Sequence, residues 1–519
     1  MTKENIKITK DKCVAFLNCK RGATYVCIWL SLYTLLAFHY PFFSYITENA
    51  GEGFSGFWIP CSVAILMFAL NYLVYYMLLY LFRVVGKYII ALTLVGNAVC
   101  LYFVNTYNVL IDRSMMGNVF NTQVSESTSF LSWTMLLYAL LLGIVPSVLL
   151  IRKSINYGSF WRFLLNILAA LVLSLGMVGS NYKNVFWIDR HASVMGSKIM
   201  PWSYIVNSIR HYNHWKKSNQ KETPLPDVEE VSEGKDICVL IIGESARSQN
   251  FSLYGYDRET NPLMTADGVT ALKAKASHTN TIDAVKAILQ HKPSGGELFE
   301  ILPNYLSRNG VDVVWRRSNW GTPPLHIEKN YTKSDLKVLY PEVDANYDGI
   351  LFHGLKEQIL ASDKDKIFIG IHTYTSHGPE YYKSTPEELK VFMPESRTVE
   401  MSNAKYEELI NAYDNTIVYT DYLVHSLIET LKQFKDRRAC VIFISDHGES
   451  LGEGGLYMHG VPMSMAPAEQ LDIPFIVWTS DNSKIKEIEQ AGHHNIYHSV
   501  LKFLGLKTAF YDESKSIFE

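Results

Sequence analysis

Residues 439–449 read ACVIFISDHGE, and this stretch decides how the rest of the chain is organised. It begins as a continuous apolar run rich in β-branched and aromatic residues, the pattern of a strand buried on both faces, and it breaks off into polar residues. Asp446 and His447 are therefore strand-end residues. In open α/β sheets ligands sit beyond the carboxyl ends of strands, and a carboxylate beside an imidazole there offers oxygen and nitrogen ligands to a metal such as zinc. The plainer alternative is that Asp446 caps a turn ahead of Gly448 and His447 is merely polar.

A second stretch repeats the pattern. Residues 236–247, DICVLIIGESAR, form another buried apolar strand ending at Gly243, Glu244 and Ser245. Further strands are predicted over 311–315, 367–372 and 475–479, with helical spacing between them, as over 402–434. Strand alternating with helix predicts a largely parallel sheet covered on both faces. Its strand ends present Glu244, His372 with His377 just beyond, and Asp446 with His447, while His459 follows in GLYMHG. Any one of these histidines alone is more often structural; gathered at one sheet edge they suit metal-assisted chemistry.

Such chemistry needs a nucleophile. Residues 277–281, SHTNT, precede a helical pattern, so Thr281 falls at or near a helix N-terminus, where free backbone amides favour an anion. Local sequence equally allows Thr281 to be an ordinary N-cap. Ser245 competes, following Glu244 at a strand-to-helix turn, but GESAR lacks the second glycine of a hydrolase nucleophile elbow.

The first third of the chain is of a different kind. Five apolar segments, at 23–43, 57–82, 88–109, 130–151 and 160–179, approach or exceed the ~20 residues a helix needs to cross a bilayer. Lys3, Lys7, Lys10, Lys12, Lys20 and Arg21 precede the first, and Arg83, Lys87, Arg152, Lys153 and Arg162 lie in alternate connections. The positive-inside rule then predicts a cytoplasmic N-terminus, an uncleaved first anchor and export of everything after Asn181. Trp187, Trp202, Tyr204, Tyr212 and Trp215 suit the headgroup region, so 200–217 reads as an interfacial helix, followed by a polar linker over 218–235. The expected domains are 1–180, a five-helix transmembrane domain; 181–235, interfacial helix and linker; and 236–519, the exported α/β domain.

A net charge of −3 with no basic tract gives no sign of nucleic-acid binding. Of seven cysteines only Cys238 and Cys440 fall in the exported part; they are predicted to lie level on neighbouring strands as buried thiols rather than a bridge. In the polar connection 105–129, Asn118, Thr122 and Glu126 recur every four residues and share one helical face, suited to a lipid headgroup or simply solvated. His493, His494 and His498 have no matching acid, and a structural or surface role is expected for them.

The assembled motifs, GESARSQNFSLYGYDRETNP, TSHGP, SDHGES and YMHG behind five apolar segments, resemble the phosphoethanolamine transferases that modify lipopolysaccharide, including the mobile colistin resistance enzymes. The resemblance extends to NTYNVLIDRSMMGNVFNT between the third and fourth segments. It implies an α-helical membrane domain with five transmembrane helices joined to a periplasmic domain of the alkaline-phosphatase/sulfatase type. It implies zinc held by Glu244, Thr281, Asp446 and His447, a second zinc or the substrate phosphate at His377 and His459, and an ethanolamine contact at Glu449. Asn118, Thr122 and Glu126 match membrane-side substrate positions. Where many relatives have SCGT this chain has SHTNT, so Thr279 stands beside Thr281 as a candidate nucleophile, and Thr281 is preferred because TIDAV opens the helix.

By this resemblance the expected enzyme is a monomer in a bacterial inner membrane with its catalytic domain in the periplasm. It would move phosphoethanolamine from phosphatidylethanolamine through a phospho-threonine intermediate to lipid A or the lipopolysaccharide core, a change that brings polymyxin resistance. The alternatives are a related membrane phosphotransferase or phosphatase acting on another glycan or lipid, and a catalytically dead membrane-anchored binding protein.

Overall fold

The computed structural model describes residues 20–50, 53–121, 130–181, 184–218, 222–293 and 298–519, and the chain divides into two compact units. One comprises Met1–Met116 with Leu131–His211, the other Gly117–Phe130 with Tyr212–Glu519. The division falls inside a helix, Trp202–Ser218.

The first unit is helical because its long apolar runs carry few charges, and a helix satisfies every backbone group internally. Its elements are α1 (Ala23–Phe38), α2 (Tyr40–Asn49), α3 (Gly53–Tyr107), α4 (Arg113–Asn121, which runs into the second unit), α5 (Trp133–Arg152), α6 (Phe160–Ser180), α7 (Val185–Lys198) and α8 (Trp202–Ser218). Among the described residues three helices are long and apolar enough to cross a membrane, or four if α1 and α2, bent by 65°, count as one broken span. α3 runs for 55 residues but is interrupted at Arg83, whose φ of 51° and ψ of −112° are not helical. There the Arg83 guanidinium lies over the rings of Tyr80 and Tyr157, and Lys87 donates to the carbonyls of Ile151 and Lys153. Thr122 and Glu126 lie outside the described residues; Asn118 sits on α4.

The second unit is built on an eight-stranded sheet. Its strands are β1 (Asp236–Gly243), β2 (Thr270–Lys275), β3 (Asp312–Arg317), β4 (Lys329–Thr332), β5 (Lys366–His372), β6 (Arg438–Ser445), β7 (Asp472–Thr479) and β8 (Ala491–Gly492), in the spatial order β8-β2-β7-β6-β1-β5-β3-β4. Five neighbouring strands, β6-β1-β5-β3-β4, are parallel, and β7 runs antiparallel to both β6 and β2. β1 is buried along its whole length, as a strand apolar on both faces must be. Cys238, Leu240 and Ile242 on one face join a core with α9 (Thr281–Leu289) and α11 (Ile496–Phe503), while Ile237, Val239 and Ile241 on the other face are equally buried. A long helix, α10 (Tyr406–Leu431), completes the unit.

Register settles the strand-end prediction. Cys238 pairs with Cys440 and Gly243 with Ser445, so β1 and β6 finish level and Glu244 and Asp446 emerge side by side. The two thiols are free, with sulfurs 3.4 Å apart. Ile242 is level with His372 on the other neighbour, β5. Three strands of this sheet escaped the sequence reading: β2, β4 and β8 are too short or too polar to show a clear apolar run.

Candidate active site at the carboxyl ends of the sheet

Glu244 follows β1 and Asp446 and His447 follow β6, all three essentially inaccessible to solvent. The turn after β6 is tight: a Cβ on Gly448 would stand 2.1 Å from the Glu469 carbonyl oxygen, so no side chain fits there. Asp446 Oδ1 accepts from the backbone N–H groups of Ser245 and His447, which aims Oδ2 elsewhere. His447 Nδ1 is bonded to the Gly448 carbonyl at 3.0 Å, presenting Nε2 to the site. Nε2 then lies 3.3 Å from Asp446 Oδ2 and 3.5 Å from Glu244 Oε1.

α9 brings the threonine. Asn280 is its N-cap, accepting from the Asp283 N–H, so Thr281 is not the cap but the first helical residue, and its side chain turns to the strand ends. Thr281 Oγ1 donates to Glu244 Oε2 at 3.2 Å and stands 3.3 Å from His447 Nε2. Thr279 faces away and donates to the Val461 carbonyl at 2.6 Å. Ser245 adopts a left-handed φ of 53° and donates to Glu244 Oε1 at 2.7 Å.

The histidines form the next layer. His459 bonds through Nδ1 to Glu449 Oε2 at 2.7 Å, and its ring centroid is 4.2 Å from that of His447 and 5.4 Å from that of His377. His377 stacks on Tyr374 and bonds to the Gly378 carbonyl. Glu449 is fully buried, and its second oxygen accepts from the Tyr381 hydroxyl at 2.6 Å. Both of its oxygens are thus engaged within the protein. Asn118 lies toward this loop, with its Nδ2 3.9 Å from the position a Cβ on Gly460 would take. His493 and His498 are buried and bonded to the carbonyls of Ser445 and His291, a structural use, whereas His494 is exposed.

This constellation fits a cation. Two buried carboxylates stand together, and Asp446 Oδ2 accepts no hydrogen bond among the described residues. Burial, then the charge of Glu244, push the Asp446 carboxyl well above its usual range. Burial also opposes ionisation of Glu244, but the imidazoles of His447, His377 and His459 outweigh it and hold that carboxyl low. Burial and the neighbouring His459 push His447 down to about 3, which keeps its ring neutral and able to ligate a cation. Carboxylate oxygens and a neutral imidazole nitrogen are ligands that zinc accepts, and catalytic sites leave a further position for an oxygen. Glu244, His447 and His459 can bring ligand atoms within 4.8 Å of one another.

Two residues here gave no sequence signal. Asn319, two residues past β3, donates to Glu244 Oε2, and Tyr381 supports Glu449. A search past every strand end would have reached Asn319, but nothing local marks Tyr381.

Comparison with known proteins agrees with this architecture. The sulfatase family profile matches residues 237–506, and that of phosphoethanolamine transferase EptA/EptB matches 66–215. Phosphoethanolamine transferase EptA of Helicobacter pylori is 32% identical over 484 residues, 91% of each chain. Phosphatidylethanolamine transferase Mcr-1 of Escherichia coli is 28% identical, over 78% of this chain and 80% of that one. The integral membrane EptA structure from Neisseria meningitidis superposes with a TM-score of 0.86 at 27% identity, covering 96% of this chain and 99% of that one. With a sulfatase-type domain behind apolar helices and such identity along nearly its whole length, the chain belongs to the EptA family of phosphoethanolamine transferases and is itself a transferase.

Proposed function

We propose that the protein transfers phosphoethanolamine from phosphatidylethanolamine to a phosphate of lipid A through a covalent Thr281 intermediate. The observation that carries this reading is the convergence of Glu244, Asp446 and His447 on the Thr281 hydroxyl at the start of a helix. The names of the relatives, which transfer phosphoethanolamine or phosphatidylethanolamine, support the group moved.

Glu244, Asp446, His447 and Thr281 would hold zinc, and the bound ion supplies Lewis acidity that lowers the hydroxyl's pKa. Thr281 Oγ1 attacks the donor phosphorus, its bond to diacylglycerol oxygen breaks, and that oxygen leaves with a proton. His459, anchored through Nδ1 on Glu449, keeps Nε2 for this proton, and His377 offsets charge on the phosphoryl oxygens. An oxygen of the acceptor phosphate then displaces Thr281. Thr281 rather than Thr279 is the nucleophile because the Thr279 hydroxyl is committed to the Val461 carbonyl. An ethanolamine ammonium at Glu449 would share that carboxylate with Tyr381 and His459, each of which already bonds one of its oxygens. Asn118, whose amide lies toward Gly460, would meet the donor headgroup.

The break at Arg83 supports the reading of five crossings of an inner membrane, since 55 residues at ~1.5 Å each far exceed a ~30 Å hydrocarbon core. An ammonium added to an anionic lipid phosphate weakens the attraction of cationic peptides such as polymyxin. Lipid A mass spectrometry after expression in a bacterium lacking its own transferases tests the reading. A mass increment of one phosphoethanolamine is expected; no increment on any lipopolysaccharide species would overturn it.

A further inference from the structure

Beside the site, a cavity of about 600 Å³ opens from His377 and Tyr374 toward the chain around Lys383 and Arg397. Sites for whole small molecules run from about 300 to 1,000 Å³, whereas phosphoethanolamine is only a few atoms across. Three kinds of side chain line it. Trp320, Tyr347 and Tyr382 supply flat rings with polar tips, which suit the C–H faces of a sugar ring. Lys333, Lys383 and Arg397 supply cations suited to phosphate, and Glu380 and Glu387 are acceptors for hydroxyl groups.

The cations are held in place before any ligand arrives. Lys333 donates to the Asn346 carbonyl at 3.0 Å and lies 3.6 Å from Asp348 Oδ1. Arg397 sits over the Tyr382 ring, 3.8 Å from Glu387, and Lys383 pairs with Glu380 at 2.6 Å. Asp348 also joins this wall to the reaction centre. Its Oδ2 accepts from the Tyr374 N–H at 2.6 Å and the Thr375 hydroxyl at 2.7 Å, in the loop that carries His377.

We propose that this cavity receives the phosphorylated sugar of the acceptor, with its rings against Tyr382 and Trp320 and a glycan anion against Arg397 and Lys383. The proposal rests on the transferase reading above. It places the acceptor body on the His377 side and leaves Thr281 open to the donor.

The full-length enzyme in detergent micelles separates the two half-reactions. Formation of the covalent intermediate from phosphatidylethanolamine alone is read by intact-protein mass, and transfer is then read against acceptor concentration. For Arg397→Ala with Lys383→Ala, both on exposed side chains, and for Tyr382→Ala separately, the intermediate forms at the wild-type rate. The acceptor KM rises about tenfold or more in the double variant, which removes two charge-assisted partners, and about threefold to tenfold in Tyr382→Ala, which removes one ring face. Glucosamine 1-phosphate competes with the acceptor on the wild type and loses that effect on the double variant. Two acceptors distinguish the source of the sugar: lipid A without core sugars, and core-bearing lipopolysaccharide stripped of its lipid A phosphates. A KM rise on the first assigns the cavity to the lipid A sugar, and on the second to a core sugar. An unchanged KM on both, or a parallel fall in intermediate formation, overturns the proposal. Absence of any intermediate in the wild type would instead strike the nucleophile assignment beneath it.

Discussion

Replacing Thr281 by serine separates the hydroxyl from the methyl group that holds it. Thr281 is only 3% exposed, and its Cγ2 lies 3.3 Å from the position a Cβ on Gly321 would occupy. Deleting that buried methyl costs about 0.8 kcal/mol of transfer free energy, and about 1 kcal/mol once the small void is included. This is within the stability margin of a folded domain. The larger effect is on orientation. A β-branched residue has few accessible χ1 wells, whereas a serine spreads over about three, so only about a third of its hydroxyls would face Glu244 and His447. That is roughly 0.65 kcal/mol, or threefold, and imperfect alignment extends the expected loss to about tenfold. Thr281→Ser therefore keeps the covalent intermediate, shifted to serine, with lipid A transfer reduced about three- to tenfold. Thr281→Ala loses both. Intact-protein mass and lipid A mass spectrometry read the outcome. A Thr281→Ser enzyme as inactive as Thr281→Ala, or phosphoethanolamine still on the Thr281→Ala protein at Thr279 or Ser245, would refute the reasoning.

Other outcomes follow from the same geometry. Glu449 accepts from both His459 Nδ1 and the Tyr381 hydroxyl; Glu449→Gln leaves one acceptor oxygen for these two partners, loosens the orientation of His459 and lowers kcat about 10–100-fold with little change in thermal midpoint. A midpoint drop as large as the activity loss implies would refute that orienting role. Chelation leaves Glu244 and Asp446 buried together without a cation, so the midpoint falls and zinc restores it, by about 2.7 kcal/mol at a hundredfold excess over Kd; an unchanged midpoint counts against the metal site. Asn319→Ala weakens metal binding about 10–100-fold by competition titration, because Glu244 loses its orienting donor. Burial lifts Asp421 to about 6 against the N–H bonds from Leu263 and Met264. The folded state then holds this proton more tightly than the unfolded chain, so stability is fullest below about pH 4 and falls as pH rises to about 6. Asp421→Asn should flatten the midpoint over that window, and an unaltered slope would assign it to other groups.

Much of this was legible in the sequence because its signals are local. An apolar run broken by a polar pair marks a buried strand and its end, which exposed Glu244, Asp446 and His447 without any tertiary information. Long uncharged runs marked the helical unit for the same reason, since bilayer length and backbone satisfaction constrain single segments. The level placement of Cys238 and Cys440 followed from equal distances to the two strand ends.

What tertiary structure alone decided depends on neighbours distant in the chain. The helical pattern opening at TIDAV already favours Thr281 over Thr279, but it is the cap at Asn280 and the direction of α9 that send one hydroxyl to Glu244 and the other to Val461. The resemblance gives Glu449 to an ethanolamine group, but only the fold shows that Tyr381 and His459, 68 and 10 residues away, each bond one of its oxygens. The run over 53–107 shows two apolar segments but not how they join, which the backbone at Arg83 settles. Sequence periodicity reports which face of an element is apolar, while the partner of each polar atom is fixed only when separate elements pack, and the chemistry of this site lies in those partners.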